Sequence, residues 1–197
     1  MILIYTSSIT SRIRYIFNIF FRDLLQTEFQ ITDQTEAFLN YKGARFSYCP
    51  AQLSDEVFFE SGGLLHESGI REVDPVYVCA HDLHGLFPVK RGCSKFDFFA
   101  SAFYLISRYE EYFPFLADKH GRFDALQSVA YKNGFLNKPV IDQYALFLFE
   151  ILSARFPGEI SIQRKYSFQP TFDIDIAYAF RSRGLIRSLA GATKSLS

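Results

Sequence analysis

MILIYTSSITSRIRYIFNIFFRDLL, residues 1–25, sets the class of the fold. Residues 2–5 are a short unbroken apolar run, which reads as a buried strand. From Ser11 the apolar residues recur at three and four: Ile13, Ile16, Phe17, Phe20, Phe21 and Leu24. Arg12, Arg14, Asn18, Arg22 and Asp23 occupy the other face, which makes the segment an amphipathic helix. A strand feeding directly into such a helix predicts an α/β protein.

Working outward, residues 27–32 and 35–39 alternate or contain β-branched residues and read as strands. Tyr41-Lys42-Gly43 then turns the chain into a strand at 45–48. Residues 57–59 and 76–79 are further strands, with Gly62-Gly63 as a turn between them. Residues 96–112 form a second helix, apolar on most sides and therefore central, capped by Ser94 with Asp97 three residues on and ended by Pro114. A third helix runs from about Pro139 to Arg155, where Phe156-Pro157-Gly158 stops it. Strands at 160–163 and 168–174 and a last helix from Ile176 complete the reading. The expected fold is a mixed sheet flanked by helices over residues 1–165, followed by a separate strand and helix over 166–197.

Lysine plus arginine and aspartate plus glutamate each total 21 in 197 residues, so the formal charge is zero. Nucleic-acid and anionic-membrane binders normally carry a positive excess, so neither is the expected partner. With 49% hydrophobic residues, 23 Phe and 12 Tyr, the chain has ample surface to bury in a dense aromatic core. The longest uncharged stretches, 1–11 and 98–107, are shorter than the roughly 20 apolar residues that span a bilayer. Arg12, the first charge, follows the apolar residues instead of preceding them, which makes a poor secretory signal. Cys49, Cys79 and Cys93 include no CxxC pair, so a reducing cytoplasm is the default location. Residues 55–74 carry six acids against Arg71 alone and read as solvated surface. Residues 176–197 carry Arg181, Arg183, Arg187 and Lys194 and no acid.

Gln169-Pro170-Thr171-Phe172-Asp173-Ile174-Asp175 is where chemistry enters. On a strand, Asp173 and Asp175 project from one face and Phe172 and Ile174 from the other. Two carboxylates at the carboxyl end of a strand are costly without a metal, a solvated pocket or a basic partner. That position is also where α/β barrels and open sheets place ligand chemistry. As a bare pattern, Asp-x-Asp is often only a polar strand end.

Residues 171–175 resemble the first motif of the polysaccharide deacetylase family, the NodB-like metal-dependent carbohydrate esterases. The resemblance implies the first strand of a distorted (β/α) barrel, with Asp173 as general base and Asp175 as a ligand of a divalent metal, zinc or similar. In the family two histidines of a later His-x-x-x-His motif complete the metal site. Its commonest motif has two adjacent aspartates before a Gly, whereas Ile174 separates them here. Upstream, Ser107-Arg108-Tyr109-Glu110-Glu111-Tyr112, Asp118 and Gly121-Arg122-Phe123 resemble a domain of unknown function that precedes a deacetylase-like domain in some bacterial proteins. Phe135-Leu136, Pro139-Val140 and Ile4-Tyr5-Thr6 fit the same resemblance, which covers about residues 1–165.

Only 22 residues follow Asp175 and none is His; His66, His81, His84 and His120 all lie upstream. A catalytic zinc takes about three protein ligands. The chain is therefore expected to be catalytically incomplete and to hold no metal by itself. On the resemblance, the parent protein deacylates a glycan or glycan precursor. The rival reading is a non-catalytic module that recognises a partner or glycan, or supports the barrel. An unfinished barrel leaves an open strand edge, through which copies of the chain would self-associate.

Two other clusters compete. Cys79, His81, His84 and Cys93 have the ligand types of a structural zinc, but their spacing matches no common module. The simpler reading is a loop with a buried Cys79 and surface histidines. Arg108, Glu110, Glu111 and Asp118, with Arg122, read as an ion-pair network tying a helix end to the following loop. Neither Ser61-Gly62-Gly63 nor Gly184 has nucleotide-binding spacing.

Overall fold

The computed structural model describes residues 1–162 and 166–173. The chain divides into two units, Met1–Arg164 and Lys165–Ser197. In the first, β1 (Ile2–Thr6), β2 (Phe29–Thr32), β3 (Arg45–Cys49) and β4 (Val57–Glu60) form a sheet in the order β2-β1-β3-β4. Every pairing in it is parallel. A separate antiparallel hairpin joins β5 (Tyr77–Ala80) and β6 (Leu83–Leu86), and isolated antiparallel bridges link Phe59 with Gly92, Pro88 with Phe96 and Ala117 with Phe123. The α/β class expected from residues 1–25 is present, with the mixed character split between two sheets.

Side chains alternate across the sheet, and burial follows the alternation. Ile2, Ile4, Phe46, Tyr48 and Phe59 enter the larger core, while Leu3, Tyr5, Cys49 and Phe58 meet Phe38 on the other face. All five residues of β1 are buried, which is why it reads as a continuous apolar run. The chain steps from β1 to β2 in one direction and from β2 across β1 to β3 in the other. Right-handed crossovers then require helices on opposite faces.

The first crossover is α1 (Ser11–Phe17), whose amino end is capped by Thr10, with Oγ1 accepting from the Ile13 N–H at 3.1 Å. It passes into a π-helical turn, Asn18–Leu24, closed by the Leu25 N–H on the Phe20 carbonyl. The wider turn accommodates an extra residue, so Leu25 takes the fully buried place expected of Leu24, which is only partly buried. The second crossover contains α2 (Thr35–Asn40), which corrects the strand expected at 35–39. Phe38 decides it by filling the apolar patch of Leu3, Tyr5 and Phe58. Arg45 satisfies carbonyls at the helix end, donating to Phe38 (2.7 Å), Leu39 (2.6 Å) and Tyr41 (2.5 Å).

Between β3 and β4 the chain returns through residues 50–56 without a helix, although parallel neighbours usually need a dozen or more residues. Glu56 clamps the short return. Its buried carboxylate accepts from the Ser47 hydroxyl (2.7 Å) and from the Leu53 (2.9 Å) and Ser54 (2.7 Å) N–H groups. The expectation of a solvated acidic surface over 55–74 fails at this residue. Glu60 and Glu67 are also engaged, by Arg91 and Arg71.

α3 (Phe98–Ile106) is central as expected, with Phe98, Phe99, Ala100 and Ala102 buried. It is shorter than expected at both ends. Asp97 is the cap, accepting from the Ala100 N–H at 2.9 Å, while the Ser94 hydroxyl bonds the Phe96 carbonyl. The helix stops before Pro114 because Arg108 adopts a left-handed conformation (φ 51°), after which Tyr109–Tyr112 forms a 3-10 turn. α4 (Val129–Lys132) and α5 (Val140–Arg155) follow, α5 beginning beside Pro139 as expected. Residues 160–162 and 168–173 carry no strand among the described residues. Apolar content makes a strand only where a neighbour takes its backbone hydrogen bonds. Gln163, Ile174 and the helix expected from Ile176 lie outside the described residues.

Candidate functional site

Asp173 lies exposed in the second unit, beside an 82% exposed Phe172, and Asp175 falls outside the described residues. Among the described residues, no three His, Cys, Asp or Glu side chains converge as a metal site. Cys79 and His84 are register partners across the hairpin, and His81 and Asp82 form its turn at φ 54° and 58°. The His81 ring stacks on Phe147 at 5.4 Å. Cys93 is exposed, with its N–H on the Phe58 carbonyl of β4, and Cys79 is exposed where a buried thiol was expected.

The carboxyl edge between β1 and β3 is the topological switch point, where open α/β sheets usually hold ligands. Here its polar groups turn inward. Thr10 Oγ1 donates to the Leu65 carbonyl, and Arg12 donates to the carbonyls of Leu64 (2.7 Å) and Gly69 beneath the rings of Phe103 and Tyr109. Ser8 Oγ is 3.0 Å from His66 Nδ1, and the His66 ring stacks on Tyr48. The Tyr48 hydroxyl donates to Asp97 (2.8 Å), which also accepts from the Gly62 N–H (2.7 Å). Burial pushes the Asp97 carboxyl up to about 6 against the pull of its hydrogen-bond donors. The cluster straps residues 61–69 over the sheet edge.

An open cavity of about 450 Å³ lies between the end of α3, the turn after it, α4 and the start of α5. Ile106, Ala130, Phe135 and Val140 supply apolar wall; Arg108, Glu110, Glu111, Lys138 and Asp142 supply charge. Half-buried Glu110 accepts from the Val129 N–H at 2.9 Å, and burial pushes its carboxyl up. Arg108 pairs with Glu111. Lys138 Nζ is 2.7 Å from His84 Nε2, and His84 Nδ1 is 2.8 Å from the Tyr77 hydroxyl. Burial and the Lys138 charge hold the imidazole below its usual range, so a neutral ring accepts from the ammonium and donates to Tyr77.

A second, more polar depression adjoins the cavity and shares Arg108, Glu111, Phe123 and Ala125 with it. It carries the Arg122–Asp118 pair at 2.9 Å. The network expected to bind Arg108 and Arg122 jointly to Asp118 is therefore two local pairs, each with its arginine mostly in solvent. Short i,i+3 and i,i+4 spacing lets each acid find its partner within its own turn. Sequence reasoning singled out Arg108, Glu110 and Glu111 but not Lys138 or Asp142. Pro139 marks the helix start that those two flank, yet nothing local shows that it lies beside residue 108.

A family model described as "Family of unknown function (DUF7033)" matches residues 2–157, and the chain belongs to that family. The match stops short of Asp173. No curated protein and no solved structure matches the chain.

Proposed function

We propose that this DUF7033 chain is the N-terminal part of a polysaccharide deacetylase-like, metal-dependent carbohydrate hydrolase. Residues 1–165 are its α/β domain of unknown function, and residues 166–197 open the deacetylase-like barrel. The carrying observation is the Thr171-Phe172-Asp173-Ile174-Asp175 motif, placed just beyond the family domain with Asp173 in solvent. In this reading Asp173 is the general base for attack on a glycan acetamide or acetyl group, and Asp175 a metal-ligating carboxylate.

The described residues do not fit a catalytic divalent ion. Such an ion takes about three protein ligands, and among the described residues no three His, Cys, Asp or Glu side chains come together to supply them. In this reading the two histidines of a His-x-x-x-His motif, and the zinc or similar ion they would hold, are features of the complete protein. Among the described residues no helix is long and apolar enough to cross a membrane. Separately, three cysteines without a CxxC pair support a reducing compartment, the cytoplasm, as the proposed location. A second reading is favoured by the cavity beside α3 and α5: the first unit recognises a glycan or other partner whether or not the barrel is active.

The coding sequence beyond residue 197 tests the hydrolase reading. A His-x-x-x-His pair is expected there, and its absence overturns the proposal. Calorimetry of the present chain with Zn²⁺ should show no micromolar one-to-one binding. Such binding, lost in Asp175→Ala, would mean that the chain completes a metal site without downstream histidines.

A further inference from the structure

We propose that the cavity between the end of α3 and the start of α5 binds a neutral polyhydroxylated ring, a sugar, and that the adjoining depression receives further rings of the same ligand. The inference rests on the reading of the first unit as a recognition module and is independent of whether a downstream barrel is active.

Size is the first argument. About 450 Å³ falls within the range of pockets that enclose small ligands. Chemistry is the second. The lining brings two cations, Arg108 and Lys138, together with three carboxyl groups, Glu110, Glu111 and Asp142, above an apolar floor. A charged ligand would leave one sign of that lining facing its own kind in a half-buried space. Hydroxyl groups both donate and accept, so a neutral polyol pairs with both signs at once. Its C–H face meets the floor that Ile106 and Val140 provide.

Preparation of the wall is the third argument. The Lys138 ammonium donates one N–H to His84 Nε2 at 2.7 Å and has two further N–H groups, so it is held in place while keeping its charge. Arg108 holds a left-handed backbone that non-glycine residues rarely adopt, at the wall common to both cavities. Local strain of this kind concentrates at binding sites. The shared wall also makes a ligand longer than one ring the better fit.

The test is titration of the full chain, by calorimetry and amide NMR, with glucose, N-acetylglucosamine, chitotriose and cellotriose, using benzoate and benzylamine as charged controls. A saturable trisaccharide isotherm is expected, tighter than that of either monosaccharide, with shifted amides confined to residues 105–142. Arg108→Gly keeps the left-handed backbone and removes the guanidinium. It should leave the fold intact while weakening the trisaccharide about tenfold, and Lys138→Met should do the same. No saturable sugar binding, binding unchanged in both variants, or tighter binding of a charged control would each overturn the proposal. A downstream His-x-x-x-His pair with no sugar binding sinks this inference and spares the hydrolase reading; sugar binding without that pair does the reverse.

Discussion

Asp97 shows how a single residue can be visible in sequence while its task is not. Its position beside an apolar helix marks it as a capping acid, and it does cap α3 through the Ala100 N–H. Its bonds to Tyr48 and Gly62, 49 and 35 residues away, have no local signature. Because burial raises its folded value from 3.8 to about 6, its stabilising contribution is complete below pH 3.8 and is lost as pH rises through 6. The shift corresponds to about 3 kcal/mol. Urea unfolding of the wild type and Asp97→Asn between pH 3 and 7 should show the wild type losing about that much relative to the variant as pH rises. His66 and His84, both held low by burial, lose stability in the opposite direction, below 6.5, but do so in both proteins and cancel. Parallel pH curves would contradict the assignment. Gly85 is a second such residue. A Cβ there would lie 2.1 Å from the ring of Phe96, which is 1% exposed, so Gly85→Ala should cost about 1–3 kcal/mol or more in the same assay.

Among the elements, legibility tracked length. The strand and helix of residues 1–25 and the helix at Val140–Arg155 have enough turns for their apolar period to be unambiguous. Six residues at Thr35–Asn40 do not, and a tertiary partner for Phe38 decided between strand and helix. The π-turn at Asn18–Leu24 moved the buried position by one residue, which no average period can anticipate. The return from β3 to β4 depends most on one side chain. Glu56→Ala leaves the Leu53 and Ser54 N–H groups and the Ser47 hydroxyl without their acceptor, and should cost about 2–3 kcal/mol. Burial raises the Glu56 carboxyl, but the bonds from Leu53, Ser47 and Ser54 together hold it below 4.5. Its contribution is therefore present above pH 4.5 and lost as pH falls through the folded value. Glu56→Gln should flatten the acid limb of the stability curve below pH 4.5; an unchanged acid limb would show that the clamp is not electrostatic.

For the molecule as a whole, sequence and structure direct attention to different ends. A short motif such as residues 171–175 is legible because its chemistry lies in adjacent residues, whereas the cavity is assembled from the end of α3, the turn beyond Phe135 and the first turn of α5. Such a site becomes visible only once the chain is folded. The same separation makes a prediction about folding. Both apolar cores among the described residues draw their buried members from residues 2–152, whereas Tyr166, Phe168 and Phe172 are 93%, 78% and 82% exposed. Stability follows apolar burial, and exposed aromatic residues promote association instead. A chain ending at Arg164 should therefore unfold in one cooperative transition, with a midpoint within a few degrees of the full chain's, and be more soluble. It should also retain any sugar affinity, since every residue lining the cavity lies between 105 and 142. Thermal unfolding followed by circular dichroism, paired with the trisaccharide titration, checks both. A broad transition would show that the core depends on residues beyond 164, and a folded chain without affinity would show that those residues complete the site.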